Sequence, residues 1–385
     1  MGWNGIIFTD NFAQVVVAVL NTPKMKIKLS LPTGLTFPTL VAAPAPAGQP
    51  TESLRLLENG KAIPCHIEVV HRDLQGRPLW LHVYALYTGG RKYSLEVSDL
   101  PAPAPTGAFA DVPEWRVEVL DHREIIWGAH AAIADSRVYE INNEVLRVYY
   151  QEAWLEAQGA QVVAPFLRYK VRVTQFAGSP YIKFDHSVVF AGKMSDHRLE
   201  WVRIRFPGLV TPANSPLQAM LDGRSRTLTA PAFVHQRRFN KTNQGTFRQA
   251  NGAFESKPVT ICIRNFWEKY PQAVSVDHHG LTYYQWYGKG TEFAESERLD
   301  EKNLHKLYHW HHGKYLDAPA PSDWVAKMSE HLEVPELRQS YMAGAEMQGI
   351  TLHDDFCLYS GDTPDLKTLQ QVWQTNPVGY VQEDN

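Results

Sequence analysis

The chain has 385 residues, with 38 Lys and Arg against 41 Asp and Glu and a net charge of −3. Its 44% hydrophobic and 21% charged residues are globular proportions and exclude a disordered or fibrous chain. The balanced charge argues against general nucleic-acid binding, and three cysteines without metal-ligand spacing (Cys65, Cys262, Cys357) exclude a disulfide framework and a thiolate metal cluster.

Residues 1–24 have no Lys or Arg before Lys24, and Asp10 and Asn11 interrupt the apolar run, so the segment reads as an arm or strand rather than a secretory signal. VVVAVL (15–20) falls far short of the roughly 20 apolar residues that span a bilayer. No membrane insertion is expected, and the expected location is a virion or the cytoplasm. From 25 to 105 the chain reads as a small β-barrel domain. MKIKLSL (25–31) and LWLHVYAL (79–86) carry the strand pattern, separated by turn signals at ENGK (58–61) and LQGRP (74–78). PAPAPTG (101–107) closes it as a stiff linker.

Residues 111–318 read as a large antiparallel β-sandwich. WRVEVLD (115–121), RVYEI (137–141), VLRVYY (145–150), LRYKVRVTQF (167–176), YIKFDHSVVF (181–190), LEWVRIRF (199–206), TLTAPAFVH (227–235), VTICIRNFW (259–267) and LTYYQWY (281–287) continue one pattern without helical interludes. No GxGxxG follows a strand, and neither a P-loop nor a GxSxG elbow is present. Residues 321–385 read as a short, acidic helical tail, from the spacing in SDWVAKMSEHLE (322–333) and from TPDLKTLQQVWQ (363–374), where Thr363 is the N-cap and Pro364 the first helical position. The predicted fold class is therefore mostly β: a small N-terminal barrel, a large antiparallel sandwich and a short helical C-terminal tail.

The small net charge hides a dipole. Residues 161–250 carry 14 Lys and Arg against 4 Asp and Glu, a net of +10, whereas residues 321–385 carry 3 against 11, a net of −8. Two readings follow: a solvated strand face, or a field that attracts an anionic polymer such as a polyuronate.

FLRYKVRVTQFAGSPYIKFDHSVVF (166–190), with Phe176-Ala177-Gly178 ending one strand and His186 within the next, resembles the central sandwich of the exo-acting rhamnogalacturonan lyase-like family that includes the YetA-like bacterial proteins. REIIWGAHAAI (123–133), LEWVRIRFPG (199–208), RNFWEKYPQAVSVDHHGLTYYQWY (264–287) and LHKLYHWHH (304–312) are similar to the same family. The resemblance implies a barrel followed by a sandwich and a carbohydrate-related ancestry. In that family a long helical toroid follows and forms much of the catalytic cleft; here only residues 319–385 follow the sandwich. The resemblance therefore carries no catalytic residue across.

Elimination from a uronate needs a cation at the carboxylate, a base for the C5 proton and an acid for the leaving oxygen. FVHQRRFNKTNQG (233–245) offers His235, Arg237, Arg238 and Lys241 on one loop, and paired arginines suit bidentate carboxylate binding. A basic surface loop is the alternative. His278, His279, His305, His309, His311 and His312 form a histidine-rich run. On a strand His305, His309 and His311 spread over about 20 Å, too far for one ion, so no metal site and no cofactor are expected. Tyr284, Trp286 and Trp310 are candidate sugar-stacking rings, with core packing as the alternative.

Two function classes follow. The first is a non-catalytic β module of a larger assembly, for example a phage tail, partnered by other subunits or by itself and binding acidic polysaccharide through Arg237, Arg238, Lys241, Tyr284, Trp286 and Trp310. The second is a polysaccharide lyase with His235, Arg237, Arg238, Lys306 and His309 at its site.

Overall fold

The computed structural model describes residues 24–29, 31–46, 50–98, 101–121, 123–129, 137–159, 163–191, 199–221, 224–235, 253–256, 259–263, 272–287, 350–360, 366, 368, 369 and 379–382. The N-terminal part contributes β1 (Lys24–Leu29), β2 (Thr36–Pro44), β3 (Leu54–Glu58), β4 (Lys61–Ile63), β5 (Cys65–Arg72), β6 (Pro78–Thr88) and β7 (Tyr93–Val97). There follow β8 (Arg116–Asp121), β9 (Ile126–Gly128), β10 (Val138–Asn142), β11 (Leu146–Trp154), β12 (Glu156–Ala157), β13 (Leu167–Phe176), β14 (Tyr181–Phe190) and β15 (Leu199–Phe206). The chain continues with β16 (Pro216–Leu221), β17 (Arg224–Thr229), β18 (Ala232–His235), β19 (Ala253–Ser256), β20 (Val259–Ile263), β21 (Ala273–Asp277) and β22 (Gly280–Tyr287), and ends with β23 (Ile350–Ser360) and β24 (Gly379–Gln382).

These strands form three sheets, so the mostly β fold stands. The first has eight strands in the order β4-β3-β7-β1-β24-β2-β6-β5. It curls: its two edge strands, β4 and β5, are consecutive in sequence and joined by Pro64 alone. No ladder closes the ring, so this is an open sheet rather than the barrel expected. β4 spans only three residues, and Pro64 has no N–H to donate, which leaves the seam without a ladder. Val41, Leu56, Leu81, Val83, Ala85, Tyr87 and Leu95 fill the inside of the curl and are fully buried.

A nine-stranded sheet (β10-β11-β13-β14-β23-β20-β19-β16-β17) and a seven-stranded sheet (β12-β9-β8-β15-β22-β21-β18) make the sandwich. One apolar core joins them, with Tyr169, Val171, Val173, Phe184 and Phe356 from the larger sheet against Val117, Val202, Ile204, Phe206, Leu281 and Tyr283 from the smaller. Phe184 and Phe356 stack at 4.9 Å with an interplanar angle of 6°, and Phe206 meets both edge-on. The alternation locates β13, β14 and β15 to the residue. TLTAPAFVH, expected as one strand, divides at Pro231 into β17 and β18, which belong to different sheets. Proline cannot donate to a ladder, and the chain changes layers there.

The C-terminal segment differs from the helical tail expected. Residues 322–333 lie outside the described residues, and within 363–374 Leu366, Thr368 and Leu369 are helical. Ile350–Ser360, however, is the long strand β23, centred in the nine-stranded sheet between β14 and β20. β24 enters the N-terminal sheet between β1 and β2, antiparallel to the first and parallel to the second. Leu366 and Leu369 are buried in the core of that same sheet. The segment thus completes both β units.

Candidate functional site

Most of the sequence-based site residues do not fall on a described surface. Arg237, Arg238, Lys241, Lys306, His309 and Trp310 lie outside the described residues, as do His305, His311 and His312. His235 ends β18, its backbone opposite Ala273, and the backbone of Trp286 pairs with Val202. Tyr284 is a correction: it is 5% exposed, packed with Trp201 and Ala273, and its ring meets Phe233 edge-on at 5.9 Å. A ring so enclosed offers no face to a sugar. A register shift in the β15–β22 ladder, between Val202 and Arg203, lets Tyr283 and Gln285 be buried alongside it. His278 and His279 sit exposed on the β21–β22 turn with rings 3.8 Å apart. Among the described residues no group of three or more His, Cys, Asp or Glu could hold a metal ion.

Among the described residues, the cations of β13, β14 and β15 in the basic stretch are engaged by neighbouring groups. Arg168, Lys170 and Arg172 alternate with buried Tyr169, Val171 and Val173 on β13 and so share its outward face. Arg168 Nη2 lies 2.6 Å from Glu152 Oε1, and Arg172 Nε donates to Glu140 Oε2 at 2.7 Å and faces Asp185 at 3.8 Å. Lys183 lies 2.8 Å from Asp185, and Lys170 sits 4.8 Å over the Tyr150 ring. Arg203 and Arg205 both face Glu118, at 2.7 and 3.7 Å. Opposite charges across a strand pair neutralise one another locally, so the described cations of β13, β14 and β15 are offset by Glu118, Glu140, Glu152 and Asp185.

A different cluster forms where the N-terminal sheet meets the sandwich. His66 and Glu68 on β5 lie directly opposite Tyr84 and His82 on β6, and all four side chains share the face away from the apolar core. Tyr84 packs against Ile141, Leu146, Val148 and Phe176 of the sandwich. Its hydroxyl donates to Glu68 Oε2 at 3.1 Å, and His82 Nδ1 approaches the same oxygen at 4.0 Å. His66 Nδ1 and Asn143 Nδ2 are 3.1 Å apart, linking β5 to the β10–β11 turn. Glu140, Arg172 and Asp185 continue the cluster on the sandwich side. Two residues beyond Tyr84, Leu86 lines a cavity of about 300 Å³ with Thr36, Ser179, Tyr181 and Tyr359. Gly178, the last residue of the Phe176-Ala177-Gly178 turn, also lines it. Gly178 has φ +73°, and a Cβ there would meet Thr106 O at 2.6 Å, so only glycine fits.

Electrostatics distinguishes the groups. Burial lowers the His66 and His82 imidazoles below their ordinary range, against an opposing pull from Glu68, so both are neutral at pH 7. Burial, then the charge of Glu68, raises the Tyr84 hydroxyl far above its usual range, and it stays a donor. The junction between the two units therefore combines neutral imidazoles, a phenol, an amide, carboxylates and a guanidinium already held by carboxylates. That set makes directional hydrogen bonds of both polarities beside an aromatic ring. It suits a polyhydroxylated ligand.

No protein-family model matches the chain, and no curated protein matches it. Among solved structures, the chain is similar to a protein in the glycosyl hydrolase family 38 from Enterococcus faecalis, with a TM-score of 0.45 and 13% identity over 94% of this chain and 48% of that one. It is also similar to an alpha-mannosidase from Enterococcus faecalis V583, with a TM-score of 0.41 and 12% identity over 94% of this chain and 46% of the other. The chain thus spans about half the length of these structures.

Proposed function

We propose that the chain is a non-catalytic β module of a larger assembly that binds a glycan in the crevice between its curled sheet and its sandwich. The observation that carries this reading is that the cations described at the crevice are already paired. Elimination from a uronate needs a cation available to the substrate carboxylate, yet Arg172 holds Glu140 and faces Asp185, and Lys183 holds Asp185. Tyr84, kept protonated, is no base. What the crevice offers is hydrogen bonding to hydroxyls beside the Tyr84 ring. The same pairing favours a neutral glycan over the acidic polymer that residue counting suggests. Assembly is supported by β10, an edge strand among the described strands, where Val138 is 49% and Tyr139 44% exposed.

Incubation with polygalacturonate or rhamnogalacturonan, followed by ultraviolet absorbance, tests the absence of catalysis: no unsaturated product is expected, and a rise in absorbance overturns the reading. Binding is tested by calorimetric titration with neutral oligosaccharides. Sizing by light scattering tests assembly; a species larger than one chain is expected.

A further inference from the structure

We propose that the crevice is one end of a longer binding track, running along the outward face of β11 and β13 to Trp154, and that its ligand is an extended β-1,4-linked neutral oligosaccharide rather than a single sugar. This rests on the reading that the crevice binds a glycan. Arg172 belongs to both regions: it holds Glu140, whose neighbour Ile141 packs on the same apolar cluster as Tyr84, and in the β11–β13 ladder it lies opposite Tyr150. From there Lys170 pairs with Glu152 and Arg168 with Trp154 in register. Each cation leans diagonally by one position, Lys170 onto the Tyr150 ring and Arg168 onto Glu152. That lean leaves the Trp154 indole 46% exposed at the end of the row.

Tyr150 and Trp154 share one face of β11 and stand four residues apart, about 13 Å along the strand; Lys170 covers the Tyr150 ring, so Trp154 is the ring of this row open to a sugar face. The ion pair of Glu152 and Arg168 holds donors and acceptors in place between the two rings. Flat C–H faces of pyranose rings stack on exposed aromatic rings while their hydroxyls need fixed polar partners. A β-1,4-linked chain is extended and presents such faces at regular intervals, as the straight row along β11 and β13 requires, whereas a coiled α-glucan does not follow a strand. The balanced charge of the row complements an uncharged ligand.

The test is a calorimetric ladder of β-1,4-linked gluco-, xylo- and galacturono-oligosaccharides, from disaccharide to hexasaccharide, on the wild-type chain, on Trp154→Ala and on Glu68→Gln/His82→Ala. For a neutral series, wild-type affinity is expected to climb with length. Trp154→Ala should leave disaccharide binding unchanged and weaken hexasaccharide binding roughly tenfold. The crevice variant should weaken every length. Circular dichroism confirms that the variants fold; Trp154 is exposed, so its removal leaves the core intact. If Trp154→Ala keeps the wild-type length dependence, or if the galacturonate series binds more tightly than both neutral series, the track is overturned while the crevice reading survives. If no oligosaccharide binds at any length, both fall.

Discussion

The two faces of the nine-stranded sheet are built from the same strands and do opposite things. Inward, β13, β14 and β23 present Tyr169, Val171, Val173, Phe184 and Phe356 to the apolar core. Outward, the intervening residues of β13 and β14 are Arg168, Lys170, Arg172, Lys183 and Asp185, joined by pairs along and across the strands, whereas Cys357 of β23 is buried in the core of the N-terminal sheet. The alternation of a strand puts the apolar core on one side and a charge-paired surface on the other. A polar residue on the wrong side must bring its own partners. Asp354 shows this. It lies on the inward face, fully buried, where it accepts hydrogen bonds from the Tyr283 hydroxyl and from Gln272 Nε2 of the opposite sheet, while Gln272 also donates to Tyr283 at 2.6 Å. The triad is a polar rivet between the two sheets, beside the buried His186 that lies opposite Asp354 in the β14–β23 ladder.

The contrast between the faces can be broken by substitution. Phe356→Ala, which removes a ring stacked on Phe184, should cost about 3–5 kcal/mol, read as a fall in the chemical-denaturation midpoint. Asp354→Ala leaves the Tyr283 hydroxyl and Gln272 without their shared acceptor and should cost about 2–3 kcal/mol by the same measurement; Asp354→Asn should recover part of it. On the outward face, Arg168→Ala should cost well under ~1 kcal/mol, because the pair with Glu152 is solvent-screened. An outward substitution as costly as Phe356→Ala would contradict the division.

Acidity sharpens it further. His66 and His82 have lowered folded-state pKa values, so the unfolded chain binds protons first. Stability at the junction is then full above the ordinary histidine value near 6.5 and declines as pH falls through it. Thermal melting of wild type against His66→Gln/His82→Gln, from pH 8 to pH 5, should show a smaller decline in the variant.

Much of the fold was legible in the sequence, because β13, β14 and β15 alternate strictly and each buries one face. β23 was missed because Asp354 and Asp355 interrupt its apolar alternation. What makes Asp354 tolerable inside, Tyr283 and Gln272, comes from strands far away in sequence. The crevice was illegible for a similar reason. His66, Glu68, His82 and Tyr84 look like ordinary outward positions of two strands, and Glu140, Asn143 and Arg172 belong to another sheet. The notable clusters in the sequence, the Arg237-Arg238 loop and the histidine run, drew the eye because they are local. The site assembled by the fold is not.

The central claim is that the junction, through Glu68 and His82, holds a neutral glycan. Titration calorimetry of a neutral β-1,4-linked hexasaccharide into wild type and Glu68→Gln/His82→Ala at pH 7 tests it most directly. Saturable heat is expected with the wild type, and binding weakened at least roughly tenfold in the variant, as the loss of two hydrogen-bonding groups implies. Equal affinity in the two proteins, or no heat with either, would contradict it.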